Sequence, residues 1–313
     1  MKGIELSKAY FEEFGKPMLE KNFSDIIPLL CVGLVGSGSE CYGFDDEISQ
    51  DHDFEPGFRI FIPDENILDQ RTEFLLERAY AKLPKEFNGY KRSPINPVGG
   101  NRNGVIKISE FYLQKVGTAD GILDVTKWLT TPDSYLFEAT NGELFFDNLG
   151  LFSKIRERII NQPEDIRLKK LAGNLLIMAQ SGQYNYNRCL SHGETGASQL
   201  ACIEFVNSAM KTVFILNKKY MPYYKWSFRS MRNLNIFSSL TDSFEYLLTS
   251  ENDGKTAEIK SGVIEDISSI IIGYLIKNNM TKAVCGDLEK HAYSVNDLIK
   301  DATIRNMNIL TAV

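Results

Sequence analysis

Histidine is scarce in this chain and cysteine is scattered. His52, His192 and His291 are all the histidines among 313 residues, which leaves little material for a histidine-built metal centre or a repeated acid–base device. The five cysteines, Cys31, Cys41, Cys189, Cys202 and Cys285, are an odd number with no C-x-x-C pair. Neither a disulfide framework nor a zinc knuckle is implied, and most of them read as small core residues. Basic charge is also in deficit: 35 Lys and Arg stand against 41 Asp and Glu, a net charge of -6. A surface that tracks a DNA or RNA backbone needs a basic face, so no DNA partner is expected, although a local basic cleft is compatible with this balance. No stretch approaches the roughly 20 apolar residues that span a bilayer. Met1-Lys2-Gly3-Ile4-Glu5 enters a polar helix without a secretory apolar region, which predicts a cytoplasmic protein with no membrane partner.

What is present is a globular composition, 43% hydrophobic and 24% charged, on a chain long enough for two domains that each bury a core. Residues 5–21 carry Leu6, Tyr10, Phe11, Phe14 and Leu19 near helical spacing, and Ile67–Lys82 is a second amphipathic helix. Cys31–Val35 is a short apolar strand, and Asp51–Asp53 opens another that continues through Phe58, Ile60 and Ile62. Residues 83–104 read as a long loop rich in Pro, Gly, Asn and Arg, followed by a strand at Gly104–Glu110 that runs into a helix at Phe111–Val116. Beyond Gly150 the period turns helical: Phe152–Ile160, Asp165–Gln183, Thr195–Asn217, Ser238–Thr249, Ala257–Lys277 and Ser294–Ile309. The expected organisation is a mixed α/β domain over 1–150 and an all-helical domain over 151–313.

The chemistry concentrates in CVGLVGSGSECYGFDDEISQDHDFEPGF. Residues two apart in a strand face one side, so Asp51 and Asp53 would present two carboxylates together. Such a pair repels itself unless a cation intervenes, and hard oxygen ligands on a short element suit Mg²⁺ carrying phosphates. The Gly36-Ser37-Gly38-Ser39 turn lets backbone N–H groups and a hydroxyl come close to a phosphate; the plainer account is a tight strand-to-helix turn. Asp45, Asp46 and Glu47 read as a solvated acidic loop.

An apolar strand, a Gly-Ser pair, a spacer and Asp-x-Asp together resemble the signature of the DNA polymerase β-like nucleotidyltransferase superfamily. More narrowly, the Gly-Ser-Glu at Gly38–Glu40, the Gly-Phe-Asp-Asp-Glu at Gly43–Glu47 and Asp51-His52-Asp53 resemble the DUF4037 nucleotidyltransferase-like group. The similarity continues through DVTKWLTTPDSYLFEATNGELFFDNLG, Tyr184–Arg188 and the segment ending at Trp226. The fold implied is α+β, with an N-terminal nucleotidyltransferase-type mixed sheet and flanking helices followed by a C-terminal all-helical acceptor domain. The activity implied is Mg²⁺-dependent, or Mn²⁺-dependent, transfer of a nucleoside monophosphate from an NTP to a hydroxyl of a small molecule or protein, releasing pyrophosphate. Asp51 and Asp53 would hold metal and act in catalysis, while Gly36, Ser37, Gly38, Ser39 and Glu40 would hold the nucleotide.

Superfamily members usually add a third carboxylate on a neighbouring strand. Here that strand carries Lys107 at its first polar position and leaves only Glu110 at its end, where an acid could equally serve the first turn of the next helix. In the helical half, Arg188 and Lys225 stand beside tyrosines and a tryptophan and are candidates to clamp phosphate and base, or else core-edge cations with solvated heads. Glu204, in an apolar helix, is a candidate base whose pKa burial would raise. Lys107 in place of an acid also leaves open a degenerate nucleotide-binding regulator, and a minimal-nucleotidyltransferase toxin or antitoxin is a further alternative.

Overall fold

The computed structural model describes residues 1–50, 54–92 and 102–313. Asp51, His52 and Asp53 lie outside the described residues, as does 93–101. The chain is a mixed α+β protein that divides into two compact units, Met1–Leu123 with Thr131–Asn161 and Asp124–Thr130 with Gln162–Val313.

The first unit opens with helix α1 (Gly3–Tyr10), a π-helical stretch at Phe11–Gly15 and helix α2 (Lys16–Asn22). Strand β1 (Cys31–Leu34) and the one-turn helix α3 (Ser39–Tyr42) follow, then β2 (Arg59–Ile62), α4 (Gln70–Ala81) and a small hairpin of β3 (Glu86–Phe87) and β4 (Tyr90–Lys91). That hairpin occupies part of the segment expected to be loop. Strand β5 (Gly104–Lys107) gives way at once to α5 (Ile108–Val116), so the strand expected to reach Glu110 stops three residues earlier. Helix α6 (Val125–Thr130) belongs to the second unit, and α7 (Asp133–Glu138), β6 (Glu143–Asp147) and α8 (Leu151–Ile160) complete the first.

The main sheet has the order β5-β2-β1-β6, with β1 antiparallel to both neighbours and β5 parallel to β2. Alternation along Arg-Ile-Phe-Ile explains its two covered faces. Ile60 and Ile62 point into a cluster with Val32, Phe58, Leu76 and Tyr80 beneath the first helices and α4. Phe61 points the other way, 4.5 Å from the Phe152 ring and 5.4 Å from Phe111. A strand buried on both faces reads as a continuous apolar run, as this one does. Gly33 is required by close packing, since a Cβ there would sit 2.4 Å from the Glu143 carbonyl oxygen of β6. Because Phe152 of α8 belongs to this core, the break falls after Asn161 rather than at Gly150.

The second unit continues through α9 (Glu164–Met178), a π-helical stretch at Ala179–Tyr186, α10 (Asn187–Ser191), α11 (Thr195–Leu216), α12 (Tyr224–Met231), α13 (Thr241–Thr249), α14 (Gly254–Lys277), α15 (Leu288–Asn296) and α16 (Ala302–Asn306). No strand is found among its described residues. The single helix expected at Ser294–Ile309 is instead the end of α15, a break and the short α16. Asp301 caps α16 by accepting from Thr303 and Ile304 N–H, a start signal inside what looked like one period. Helix α9 is buried almost all round, and its Lys169 ammonium donates to Asn296 Oδ1 and to the Arg305 and Met307 carbonyls. Burial there lowers the Lys169 pKa. Helix α11 corrects one expectation from sequence: it is long and apolar enough to cross a membrane by length and composition, and 61% of its apolar window is buried within the protein.

Candidate functional site

Strand β1 leaves the sheet through Gly36 and Gly38, whose φ values are 101° and 120°, a region that side chains with a Cβ rarely enter. At Gly38 space excludes a side chain as well: a Cβ would lie 1.8 Å from Arg102 Nη2 and 2.6 Å from Glu40 Oε1. The Asn141 side chain fastens Gly36 from both sides, accepting from its N–H and donating to its carbonyl at 2.8 Å each. Since Gly33 pairs with Arg59 and Cys31 with Phe61, the turn stands at the end of the sheet where β2 begins. Asp51 and Asp53 come just before that end in sequence.

Two cation–carboxylate pairs surround the turn. Arg102 donates to the Ser37 carbonyl at 2.9 Å and to the buried Glu40 carboxylate. Burial pushes the Glu40 carboxyl up while the Arg102 guanidinium opposes that shift. On the other side, helix α5 returns along the sheet and brings Lys115 Nζ to 2.9 Å from Ser37 Oγ and 2.5 Å from Glu138 Oε2. Glu138 also accepts from the Ser37 hydroxyl at 2.9 Å and the Tyr42 hydroxyl at 2.8 Å. Its burial raises the pKa, but the donors from Lys115, Tyr42 and Ser37 outweigh that and hold it below the usual carboxylate range. Tyr42 is pushed up by burial and by the Glu138 charge, and its ring stacks on Phe137 at 4.9 Å. Arg59, over the Phe111 ring, donates to the Arg102 carbonyl. In both pairs the cation is already matched by a carboxylate, so an arriving anion competes with Glu40 and Glu138 for these donors.

Gly36, Ser37, Gly38, Ser39 and Glu40 thus lie together on the turn. Glu110 does not join them. Lys107 pairs with Ile62, three residues past the start of β2, roughly 10 Å away at about 3.3 Å per residue. Glu110 lies beyond it, in the first turn of α5, 3.8 Å from Lys107 Nζ. The helix starts earlier than the strand pattern implied, so this acid lies at the end of the sheet away from the Gly36–Ser39 turn. Glu204, expected to be buried, is exposed on α11. Arg188 is exposed over the Tyr184 ring at 5.5 Å, and Lys225 lies 5.1 Å from the Trp226 ring; all three belong to the second unit. Asp45, expected in a solvated loop, is buried and accepts from Gly3 N–H at 2.8 Å.

Arg102, Lys115, Glu138 and Asn141 are what sequence reading missed. None lies near Gly36–Ser39 in the chain, and only the register of β1 with its neighbours and the return of α5 bring them in. Among the described residues no group of three His, Cys, Asp or Glu side chains forms a metal cluster. Three of the five cysteines, Cys31, Cys41 and Cys202, are buried, and Cys285 is exposed.

Residues 128–227 match the family described as "Domain of unknown function (DUF4037)". That segment includes Glu138, Asn141, Arg188, Glu204 and Lys225 and leaves Gly36–Ser39 outside it. No curated protein matches the chain.

Proposed function

We propose that the chain is a nucleotidyltransferase that binds an NTP with its phosphates at Gly36–Ser39 and passes the nucleoside monophosphate to a hydroxyl of a small molecule or protein in the cytoplasm. The observation that carries this reading is the turn itself: two positive-φ glycines, one of them too crowded for any side chain, with Arg102 and Lys115 converging on the serine between them. Glycine opens the backbone to a phosphate, and cations neutralise what arrives. In the transfer, the acceptor hydroxyl gives its proton to solvent as its oxygen bonds to the α-phosphorus, the bond from that phosphorus to the oxygen bridging to the β-phosphorus breaks, and pyrophosphate leaves with the electron pair. Arg102 and Lys115 would orient the phosphates and balance the charge on the departing pyrophosphate. Asp51 and Asp53 would hold Mg²⁺ or Mn²⁺ through their carboxylate oxygens, an ion that neutralises triphosphate charge when bound; this assignment rests on their spacing.

The test is transfer of label from α-³²P-NTPs in the presence of Mg²⁺ and cell extract. Asp51→Asn and Asp53→Asn are expected to abolish transfer with the melting curve unchanged; equal turnover in both would sink the proposal. The position of Glu110 favours a second reading, a nucleotide-binding regulator without turnover. Nucleotide binding with no release of pyrophosphate under the same conditions would establish that instead.

A further inference from the structure

Glu138 accepts three donors on one carboxylate: the hydroxyls of Ser37 and Tyr42, and the Lys115 ammonium. Two hydroxyls and an ammonium converging on an oxyanion form a set that would hold a phosphate oxygen equally well. The donors are fixed before any ligand arrives. Ser37 sits between the two positive-φ glycines, Tyr42 is stacked on Phe137, and Lys115 rises from α5. With Lys115 paired to Glu138 and Arg102 to Glu40, the two pairs cancel. An incoming polyphosphate therefore meets no net positive charge from them while both carboxylates stay in place. Glu138 is the carboxylate that takes the Ser37 hydroxyl between the two glycines, and it ends the six-residue helix α7.

We propose that Ser37, Tyr42 and Lys115 form a phosphate subsite and that Glu138 is its built-in competitor, occupying the subsite until a phosphate group displaces the carboxylate. This rests on the reading that nucleotide phosphates reach Gly36–Ser39. It adds to that reading a set of donors and a reason for the affinity to be held down: a ligand that must displace an internal group binds more weakly by the fraction of time the site is open.

The experiment is calorimetric titration of tripolyphosphate in metal-free buffer, with unfolding curves for every variant. Glu138→Gln keeps the shape and removes the competing charge, and is expected to tighten binding about tenfold. Lys115→Ala should lose binding in both the wild-type and the Glu138→Gln background, and Tyr42→Phe, which keeps the stacked ring, should weaken it. Glu143→Gln is the control for net charge, since Glu143 pairs with Lys8 in the same unit and should leave the titration unchanged. Should Glu138→Gln not fold, Glu138→Asp keeps the charge, shortens its reach and is also expected to tighten binding. Unchanged or weaker binding in the folded Glu138 variant overturns the inference, as does equal tightening by Glu143→Gln. Tightening without nucleotide transfer by the wild type keeps the subsite and removes the nucleotidyltransferase reading; transfer without tightening does the reverse.

Discussion

The two ends of the main sheet each carry a lysine paired with a carboxylate, and they differ in what surrounds the charges. At the turn, Lys115 and Glu138 keep 16% and 12% of their side-chain surface, and the carboxylate takes three donors. At the far end, Lys107 lies 3.2 Å from Glu73 and 3.8 Å from Glu110, and Glu110 keeps 51% of its side chain in water. The first arrangement is anchored to a backbone that only glycine can follow. The second sits at the seam between β5 and α5, where the neighbouring Ser109 hydroxyl donates to Asp64 rather than to Glu73 or Glu110. Likeness in charge is therefore a poor guide to likeness in role: fixed donors beside an open backbone suit a ligand, and a partly solvated pair suits a helix start.

The contrast breaks hardest at Gly38. Gly38→Val forces a β-branched residue into a positive-φ position already filled by the Arg102 guanidinium, and is expected to cost about 3 kcal/mol or more. Urea unfolding with nucleotide binding would check it, and near-wild-type behaviour in both would remove the turn from the argument. Next comes Lys115→Met, which strands the Glu138 carboxylate with two hydroxyls and should cost about 2 kcal/mol, against about 1 kcal/mol or less for Lys107→Met at the more solvated end. Equal losses in paired denaturant curves would erase the distinction between the two ends.

Acid should sharpen it further. Glu138 is held below the usual carboxylate range, so the folded state favours its ionised form. Its contribution to stability is whole above the unfolded value of about 4.3 and is lost as pH falls through the lower folded value. Glu40 acts in the opposite sense, because burial has raised it: its ionisation is opposed in the folded state, so the penalty is felt as pH rises through its folded value. Unfolding free energies from pH 7 to pH 3 should fall less steeply in Glu138→Gln than in the wild type; parallel curves would mean that Glu138 is not a stabilising charge. The smallest effect is expected at Glu110→Gln, about 0.5 kcal/mol or less and no loss of transfer. A large loss of transfer there would return Glu110 to the site.

Much of the helical half was legible because an apolar stripe repeats every turn, and five of the six expected helices have observed counterparts close to the expected bounds. The sixth failed at Asp301, whose cap interrupts a period that continues in the residue pattern. Strand β6 is not legible in the sequence: Glu143–Asp147 is five residues buried to the same intermediate degree, with no alternation to display. Glu110 was misplaced because Gly-Val-Ile-Lys-Ile keeps a strand-like composition past the point where α5 begins. The burial expected of Glu204 is not found, because apolar neighbours in sequence say nothing about which side of the helix an individual residue occupies.

Taken alone, the residues determined the places where the backbone must bend or stay open, since glycine and its φ are local properties. They also determined the apolar strand β1 and the buried run Phe58–Ile62. Which charges meet at Gly36–Ser39 was decided only by tertiary structure. Lys115 comes from a helix that returns along the sheet, Glu138 from the end of α7, and Arg102 from the residues before β5. An ion pair forms wherever the register sets two groups within a few ångströms, and register is fixed by the whole buried face of the sheet.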